Sequence, residues 1–163
     1  MSKEIVIAGA GWLGGPLARV LKESYNHVTV LSRSNEQFAF FKSQHISLIK
    51  FDYSQIEHSI INTETIKTLI ICIPPAPNYC SIINGLIQAV NPTYIVFSSA
   101  TSVYSPTSGE VTEDSTLGGN PLLEKAETLI INSGIPYCIL RFGGLIGEDR
   151  NPASHFSGKY NIP

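Results

Sequence analysis

The chain has 163 residues, of which 43% are hydrophobic and 15% are charged, and its formal net charge at pH 7 is −2. This length suits one domain with a substantial core, and the high apolar content with a small net charge excludes an intrinsically disordered chain. Eleven Lys and Arg residues against thirteen Asp and Glu residues, without a basic cluster, lead us to expect no nucleic-acid partner.

Short β-branched runs alternate with amphipathic stretches along the chain. The spacing of the apolar residues predicts six strands, over residues 3–8, 27–31, 46–51, 68–73, 93–98 and 137–142. It predicts four helices, over residues 12–24, 35–44, 78–90 and 122–132. Ser34 is a suitable N-cap for the second helix, and Gly134 is a suitable C-terminal cap for the fourth.

This alternation predicts a parallel sheet, because a parallel connection needs a crossover that a helix usually provides. Strands that are apolar throughout indicate that helices cover both faces of the sheet. We predict a doubly wound α/β fold with the strand order 3-2-1-4-5-6 over residues 1–147. Residues 148–163 are polar and lack periodicity. We expect them to be the start of a substrate-binding region, the rest of which lies outside this chain.

A GxGxxG pattern follows the first predicted strand and opens the first helix. Gly9 suits the tight turn, Gly11 a close backbone approach to a pyrophosphate, and Gly14 close packing of the helix on the sheet. The N–H groups and the dipole at the helix N-terminus favour the same anion. The pattern predicts a Rossmann-like dinucleotide-binding domain, and the alternative is a merely glycine-rich turn. The expected pyrophosphate contacts are Gly9, Gly11, Trp12, Leu13 and Gly14.

The second predicted strand leads into Ser32, Arg33 and Ser34, and no acidic residue follows before Glu36. An acid at this point would bind the ribose 2′-hydroxyl of NAD, whereas an Arg between two hydroxyls suits the 2′-phosphate of NADP. We therefore favour NADP over NAD, and the alternative is that Arg33 is an ordinary surface residue.

The ends of three further strands provide the remaining candidate cofactor contacts. Asp52 follows the third strand and could accept a hydrogen bond from the adenine amino group, or it could cap a turn. Ile73 and Pro74 end the fourth strand and are expected along the cofactor, because ligands bind where the strand order reverses. Ser98 ends the fifth strand and is expected beside them.

The cysteines, the histidines and the hydropathy of the chain bear on its compartment, metal binding and oligomeric state. The three cysteines have no CxxC spacing, so we expect free thiols and a reducing compartment, the cytoplasm. The four histidines have no metal-ligand spacing, so we expect no metal site. Four glycines and Arg19 within the apolar stretch 5–21, with Glu4 directly before it, argue against a signal peptide or membrane span. A mean hydropathy of +0.11 favours an oligomer, such as a homodimer, or a covering segment outside the chain.

Four segments, over residues 5–18, 97–105, 109–114 and 140–159, together resemble one protein family. This family is the extended NAD-dependent epimerase/dehydratase branch of the short-chain dehydrogenase/reductase superfamily, in an atypical bacterial subgroup. The resemblance implies an NAD(P)-binding protein that acts as an oxidoreductase or epimerase on a sugar-like substrate. It corresponds to the N-terminal, nucleotide-binding part of such a protein, since family members continue into a substrate-binding region.

The resemblance also implies catalytic residues that this sequence lacks. The family's catalytic Ser or Thr stands three residues before a Val, and the matching position before Val103 is Ala100. Ser99 and Thr101 flank Ala100 and are the candidate catalytic residues. No Tyr stands four residues before a Lys, so the usual acid and base are absent. Tyr104 is the one substitute to consider, and packing after the strand explains it better than a catalytic role does.

Whether the chain is an enzyme therefore stays open at the level of sequence. One alternative is a non-catalytic module that senses a dinucleotide and reports its occupancy to a protein partner. Another is a truncated part of a longer enzyme, because the resemblance is still continuing where this chain ends.

Overall fold

The computed structural model describes residues 3–52, 66–106, 109–147 and 150–151. Within these residues six strands form one parallel sheet in the order β3-β2-β1-β4-β5-β6. The strands are Lys3–Ala8 (β1), His27–Ser32 (β2), Ser47–Lys50 (β3), Ile66–Ile71 (β4), Tyr94–Ala100 (β5) and Tyr137–Phe142 (β6). The predicted doubly wound α/β fold and its strand order are confirmed.

Helices cover both faces of this sheet. They are Gly14–Ser24 (α1), Phe38–Ser43 (α2), Tyr79–Val90 (α3) and Pro121–Ile131 (α4), with a short 3-10 turn at Thr101–Val103. One face packs against α1 and α2, and the other packs against α3 and α4. No helix among the described residues combines the length and apolar character needed to cross a bilayer.

Strand β1 shows why the central strands are mainly apolar on both faces. Ile5 and Ile7 enter the core beside α1 and α2, whereas Val6 and Ala8 enter the core beside α3 and α4. All four residues are buried. Successive side chains of a strand point to opposite faces, so a strand covered on both sides has no solvent-facing position to fill with a polar residue.

The second helix differs from its prediction. Helix α2 begins at Phe38, and the residue at its N-cap position is Gln37, whose side chain makes no capping hydrogen bond. The prediction that Ser34 caps this helix is wrong, because the Ser34 hydroxyl accepts a 3.0 Å hydrogen bond from the backbone N–H of Glu36 instead. This local bond offers the backbone an alternative to a helical turn.

Other boundaries shift by a few residues. The first helix begins at Gly14 and leaves Trp12 and Leu13 in the preceding loop, and β5 extends to Ala100. Gly134 lies beyond the end of α4 with a left-handed backbone, at φ +74°. Most of the predicted tail 148–163 lies outside the described residues.

Candidate functional site: a cleft at the switch point of the sheet

A cleft of about 990 Å³ opens at the carboxyl ends of β1, β2, β3 and β4. Strand β1 lies between β2 and β4, so the chain builds the sheet outward on one side of β1 and then on the other. Neighbouring crossovers therefore leave in opposite directions at this point, which is where open α/β sheets bind ligands.

Residues 9–14, here called the glycine loop, form one wall of this switch-point cleft. Gly9 has a φ of +106°, and a Cβ there would lie 3.0 Å from the carbonyl oxygen of Cys72. A Cβ on Gly14 would overlap the carbonyl oxygen of Gly9, so α1 can approach the loop only with a glycine there. A Cβ on Gly11 would meet no protein atom within 4 Å. Packing within the protein thus accounts for Gly9 and Gly14, whereas Gly11 leaves space for a bound group.

Helix α1 presents an uncapped N-terminus at this loop. Leu13, at its N-cap position, provides no side-chain hydrogen bond, and its first turn contains no acidic residue. In α4, by contrast, the Asn120 side chain accepts hydrogen bonds from the N–H groups of Leu122 and Leu123. The partial positive charge at the start of α1 is therefore not offset by a side chain and favours an anion.

The loop after β2 forms a second wall and carries charged groups. Its backbone is held by the Ser32 hydroxyl, which accepts from the N–H of Ser34 at 3.3 Å, and by the Ser34 bond described above. Arg33 stands between these serines and lines the cleft together with Glu36 and Asp52. This end of the cleft thus holds one cation and two carboxyl groups.

The end of β4 closes the other side of the cleft. The Tyr79 hydroxyl donates a 2.9 Å hydrogen bond to the backbone oxygen of Ile73, and burial raises the pKa of Tyr79 above its usual value. Burial also raises the pKa of the Cys72 thiol to about 11. Both groups stay protonated at neutral pH, so neither is ready to act as a base or a nucleophile.

The structure brings together most of the predicted cofactor contacts. Those that line the switch-point cleft are Gly9, Gly11, Ser32, Arg33, Ser34, Asp52, Ile73 and Pro74. Trp12 and Leu13 line a neighbouring cavity of about 890 Å³ beside α1 and α2, and Gly14 is buried beneath the loop. Ser98 is half-buried in β5 and does not line the cleft.

The two candidate catalytic residues lie elsewhere. Ser99 is 4% exposed, and its hydroxyl donates a 2.6 Å hydrogen bond to the Glu127 carboxylate on α4. Thr101 is exposed and lines a separate cavity of about 790 Å³ at the edge of the sheet, together with Tyr104 and Arg141. Neither side chain reaches the lining of the switch-point cleft.

Sequence reasoning missed the polar group around Glu127. The fully buried Glu127 carboxylate forms an ion pair with Arg141, and the hydrogen bond to Glu127 raises the pKa of Arg141. Arg141 Nη1 also donates to the Tyr104 hydroxyl and to the Glu113 backbone oxygen, at 2.9 and 2.8 Å. The available signal was an acidic residue on an otherwise apolar helix face, since Leu123, Ala126 and Ile130 share this face.

The sheet order, the glycine loop and the switch-point cleft place this chain in the Rossmann-like class of α/β folds. No family model matches the sequence. Among curated proteins the chain is similar to Protein YeeZ of Escherichia coli (strain K12), with 28% identity over 177 residues. The match covers 96% of this chain and 64% of YeeZ.

Solved structures share the same fold. A putative NAD-dependent epimerase/dehydratase from Methylobacillus flagellatus matches with a TM-score of 0.71 and 24% identity, over 98% of this chain and 61% of that protein. UDP-glucuronic acid 4-epimerase from Bacillus cereus, in complex with NAD, matches with a TM-score of 0.69 and 21% identity, over 91% of this chain and 58% of that protein. The structural neighbours thus include NAD-dependent epimerase/dehydratase proteins, and this chain spans less than two thirds of each protein compared.

Proposed function

We propose that this chain is the nucleotide-binding part of a protein of the extended short-chain dehydrogenase/epimerase type and that the switch-point cleft binds NAD or NADP. The observation that carries the proposal is the glycine loop, in which Gly11 faces open space while Gly9 and Gly14 are accounted for by packing. The uncapped start of α1 and the names of the structural neighbours support the same proposal.

Each part of the cleft would then contact one part of the cofactor. The glycine loop and the start of α1 hold the pyrophosphate, Arg33 holds the adenosine ribose, and Asp52 accepts from the adenine amino group. Ile73 and Pro74 exclude water along the opposite end. The cofactor, when bound, supplies hydride-transfer chemistry.

The preference for NADP rests on Arg33. Among the described residues Arg33 is the one cation that lines the cleft, and the hydroxyls on either side fix its loop. A guanidinium can bind a 2′-phosphate with two parallel hydrogen bonds. Glu36 and Asp52 oppose this preference because they bring negative charge to the same end.

Turnover of a sugar-like substrate is the finer part of the proposal. The placement of the two candidates favours Thr101, which is exposed, over Ser99, whose hydroxyl is bound to Glu127. The carboxyl groups that line the cleft, Glu36 and Asp52, lie at the adenosine end, whereas at the end of β4 the Cys72 thiol is held protonated. This observation favours the second candidate function, a module that binds a dinucleotide without transforming a substrate. A homodimer and a cytoplasmic location stay predictions.

A fluorescence titration tests dinucleotide binding directly. Trp12 is the single tryptophan of the chain and lies within the glycine loop, so its emission reports on this loop. We expect saturable quenching by NADPH and NADH, with energy transfer to the reduced nicotinamide and tighter binding of NADPH. Calorimetry with the same ligands controls for optical artefacts. A chain that binds neither ligand in both experiments contradicts the proposed function.

A further inference from the structure

The chain after β6 returns to the glycine loop and contacts Trp12. A Cβ on Gly147 would lie only 2.5 Å from Cζ2 of the Trp12 ring, so the backbone at Gly147 lies directly against this ring. The guanidinium carbon of Arg150 lies 4.4 Å from the centroid of the same ring. Two backbone hydrogen bonds join Gly147 and Arg150, at 3.0 and 3.4 Å. This pairing holds Arg150 over the indole, and the contact among the three residues is here called the Trp12 junction.

The Trp12 junction joins segments that follow two strands far apart in the sheet. Strands β4 and β5 separate β1 from β6, so β6 lies about 14 Å from β1 at the usual strand spacing. Both Trp12 and Gly147 follow the carboxyl ends of their strands. The chain after β6 therefore starts from the side of β1 opposite to β2 and brings the Arg150 guanidinium to the glycine loop.

The charges that line the cleft indicate a role for the Arg150 guanidinium in binding an anion. Within the described residues the lining contains Arg33, Glu36 and Asp52, so acids outnumber cations there. A dinucleotide brings two negative charges on its pyrophosphate, and the N-terminus of α1 offers only about half a positive charge. A guanidinium stacked on Trp12, the residue after Gly11, lies within roughly one Debye length, about 8 Å, of the loop at physiological salt.

Guanidinium geometry allows stacking and hydrogen bonding at the same time. The planar group of Arg150 can lie with one face on the indole, while its N–H groups point outward in the plane. Those N–H groups match phosphate oxygens in a bidentate manner. Stacking also restricts the long side chain before a ligand arrives, which lowers the entropy lost on binding.

Building on the proposed function, we propose that Arg150 contacts the pyrophosphate of the bound dinucleotide, and that Trp12 is the platform that positions its guanidinium at the glycine loop. Arg150 is thus a binding residue for the cofactor. Trp12 is the positioning residue, because its ring holds the Arg150 guanidinium beside the glycine loop.

Calorimetric titration of NADH and NADPH into the full chain tests this proposal. We expect Arg150→Met to weaken the binding of both ligands about tenfold, because a charge-assisted hydrogen bond is lost. Arg150→Lys keeps the positive charge but loses the planar guanidinium. We expect its affinities to lie between those of the unaltered chain and those of Arg150→Met. Lys125→Met is the control for the loss of one exposed positive charge, since Lys125 lies on α4 and lines none of the cavities described above. Its affinities should equal those of the unaltered chain.

Salt separates a charge effect from a folding effect. The loss caused by Arg150→Met should be largest near 0.01 M salt and shrink near 1 M, where the Debye length falls from about 30 Å to about 3 Å. Equal binding by the Arg150→Met chain and the unaltered chain overturns the inference and leaves the proposed function intact. A loss that is independent of salt, or one that Lys125→Met reproduces, also overturns it. If the unaltered chain binds neither NADH nor NADPH, the proposed function fails, and the inference fails with it.

Discussion

Nη2 of Arg141 lies 2.8 Å from Oε2 of Glu127, and this pair joins the edge strand β6 to helix α4. Nε of Arg141 also donates to both carboxylate oxygens, at 3.2 and 3.3 Å, so one edge of the guanidinium, formed by Nε and Nη2, binds the carboxylate. The hydroxyl of Ser99 on β5 donates to the same carboxylate. One buried acid thus connects three elements of the fold.

Replacement of Glu127 should therefore destabilise the protein. We expect Glu127→Gln to lower the free energy of unfolding by about 3 kcal/mol, because Arg141 would lose its charged partner in a largely buried place. Equilibrium unfolding in urea measures the change. The matched control is Glu124→Gln, one turn earlier on α4, which should cost less than about 1 kcal/mol. Similar losses for the two variants would show that the ion pair adds nothing beyond helix electrostatics.

The glycine loop offers a pair of variants with opposite expectations. Gly14→Ala places a methyl group against the carbonyl oxygen of Gly9, and we expect it to destabilise the fold by about 1–3 kcal/mol. Gly11→Ala meets no protein atom, so its stability should change by less than about 0.5 kcal/mol. If a pyrophosphate fills the space, Gly11→Ala should nevertheless weaken dinucleotide binding at least tenfold. Thermal melting and calorimetry give the two quantities, and unchanged affinity in Gly11→Ala would argue against a ligand at this point.

The fold was largely predictable because its signal is local. Strands β1 and β6 lie over the residues predicted for them, since each contains four consecutive apolar residues, 5–8 and 137–140, beside a clear change in composition. The start of α2 was not predictable from helical spacing, because the hydroxyl of Ser34 bonds to the backbone before the helix begins.

In the candidate site, the residues that directly follow a strand were predictable, whereas the contacts between residues far apart in the chain were not. The glycine loop and Arg33 follow directly after strands, so the rule for strand ends places them in the cleft. The contact between Trp12 and Arg150 joins residues far apart in the chain, and no spacing pattern connects them. Glu127 and Arg141 pair across two elements, and only the position of an acid on an apolar helix face hinted at that pair.

Cofactor choice should respond in opposite directions to two changes in the loop after β2. We expect Arg33→Gln to weaken the binding of NADPH about tenfold and to change the binding of NADH much less, because only NADPH carries the 2′-phosphate. Glu36→Gln removes a negative charge from the same end of the cleft and should strengthen NADPH binding several-fold. Paired titrations with NADPH and NADH measure both ratios. A uniform loss for both cofactors in Arg33→Gln would assign Arg33 to loop structure instead of 2′-phosphate recognition.

The Cys72 thiol gives a probe of the cleft that depends on pH. Burial raises its pKa to about 11, above the ordinary value of 9.0, so the folded protein holds this proton more tightly than the unfolded chain does. The stability linked to this group is therefore fully present below pH 9 and is lost as the pH rises toward 11. In a chain that carries Cys80→Ser and Cys138→Ser, the rate of reaction with a disulfide reagent should rise steadily between pH 7 and 10, because only the thiolate reacts.

Occupancy of the cleft should slow that same reaction. Cys72 lines the switch-point cleft, so saturating NADPH is expected to protect its thiol several-fold at a fixed pH. The control carries Cys72→Ser in addition and should show no reaction above background, which assigns the signal to this thiol. A rate that levels off near pH 8 would mean that the thiol is not held protonated by burial. A rate that NADPH leaves unchanged would place the bound dinucleotide away from the end of β4.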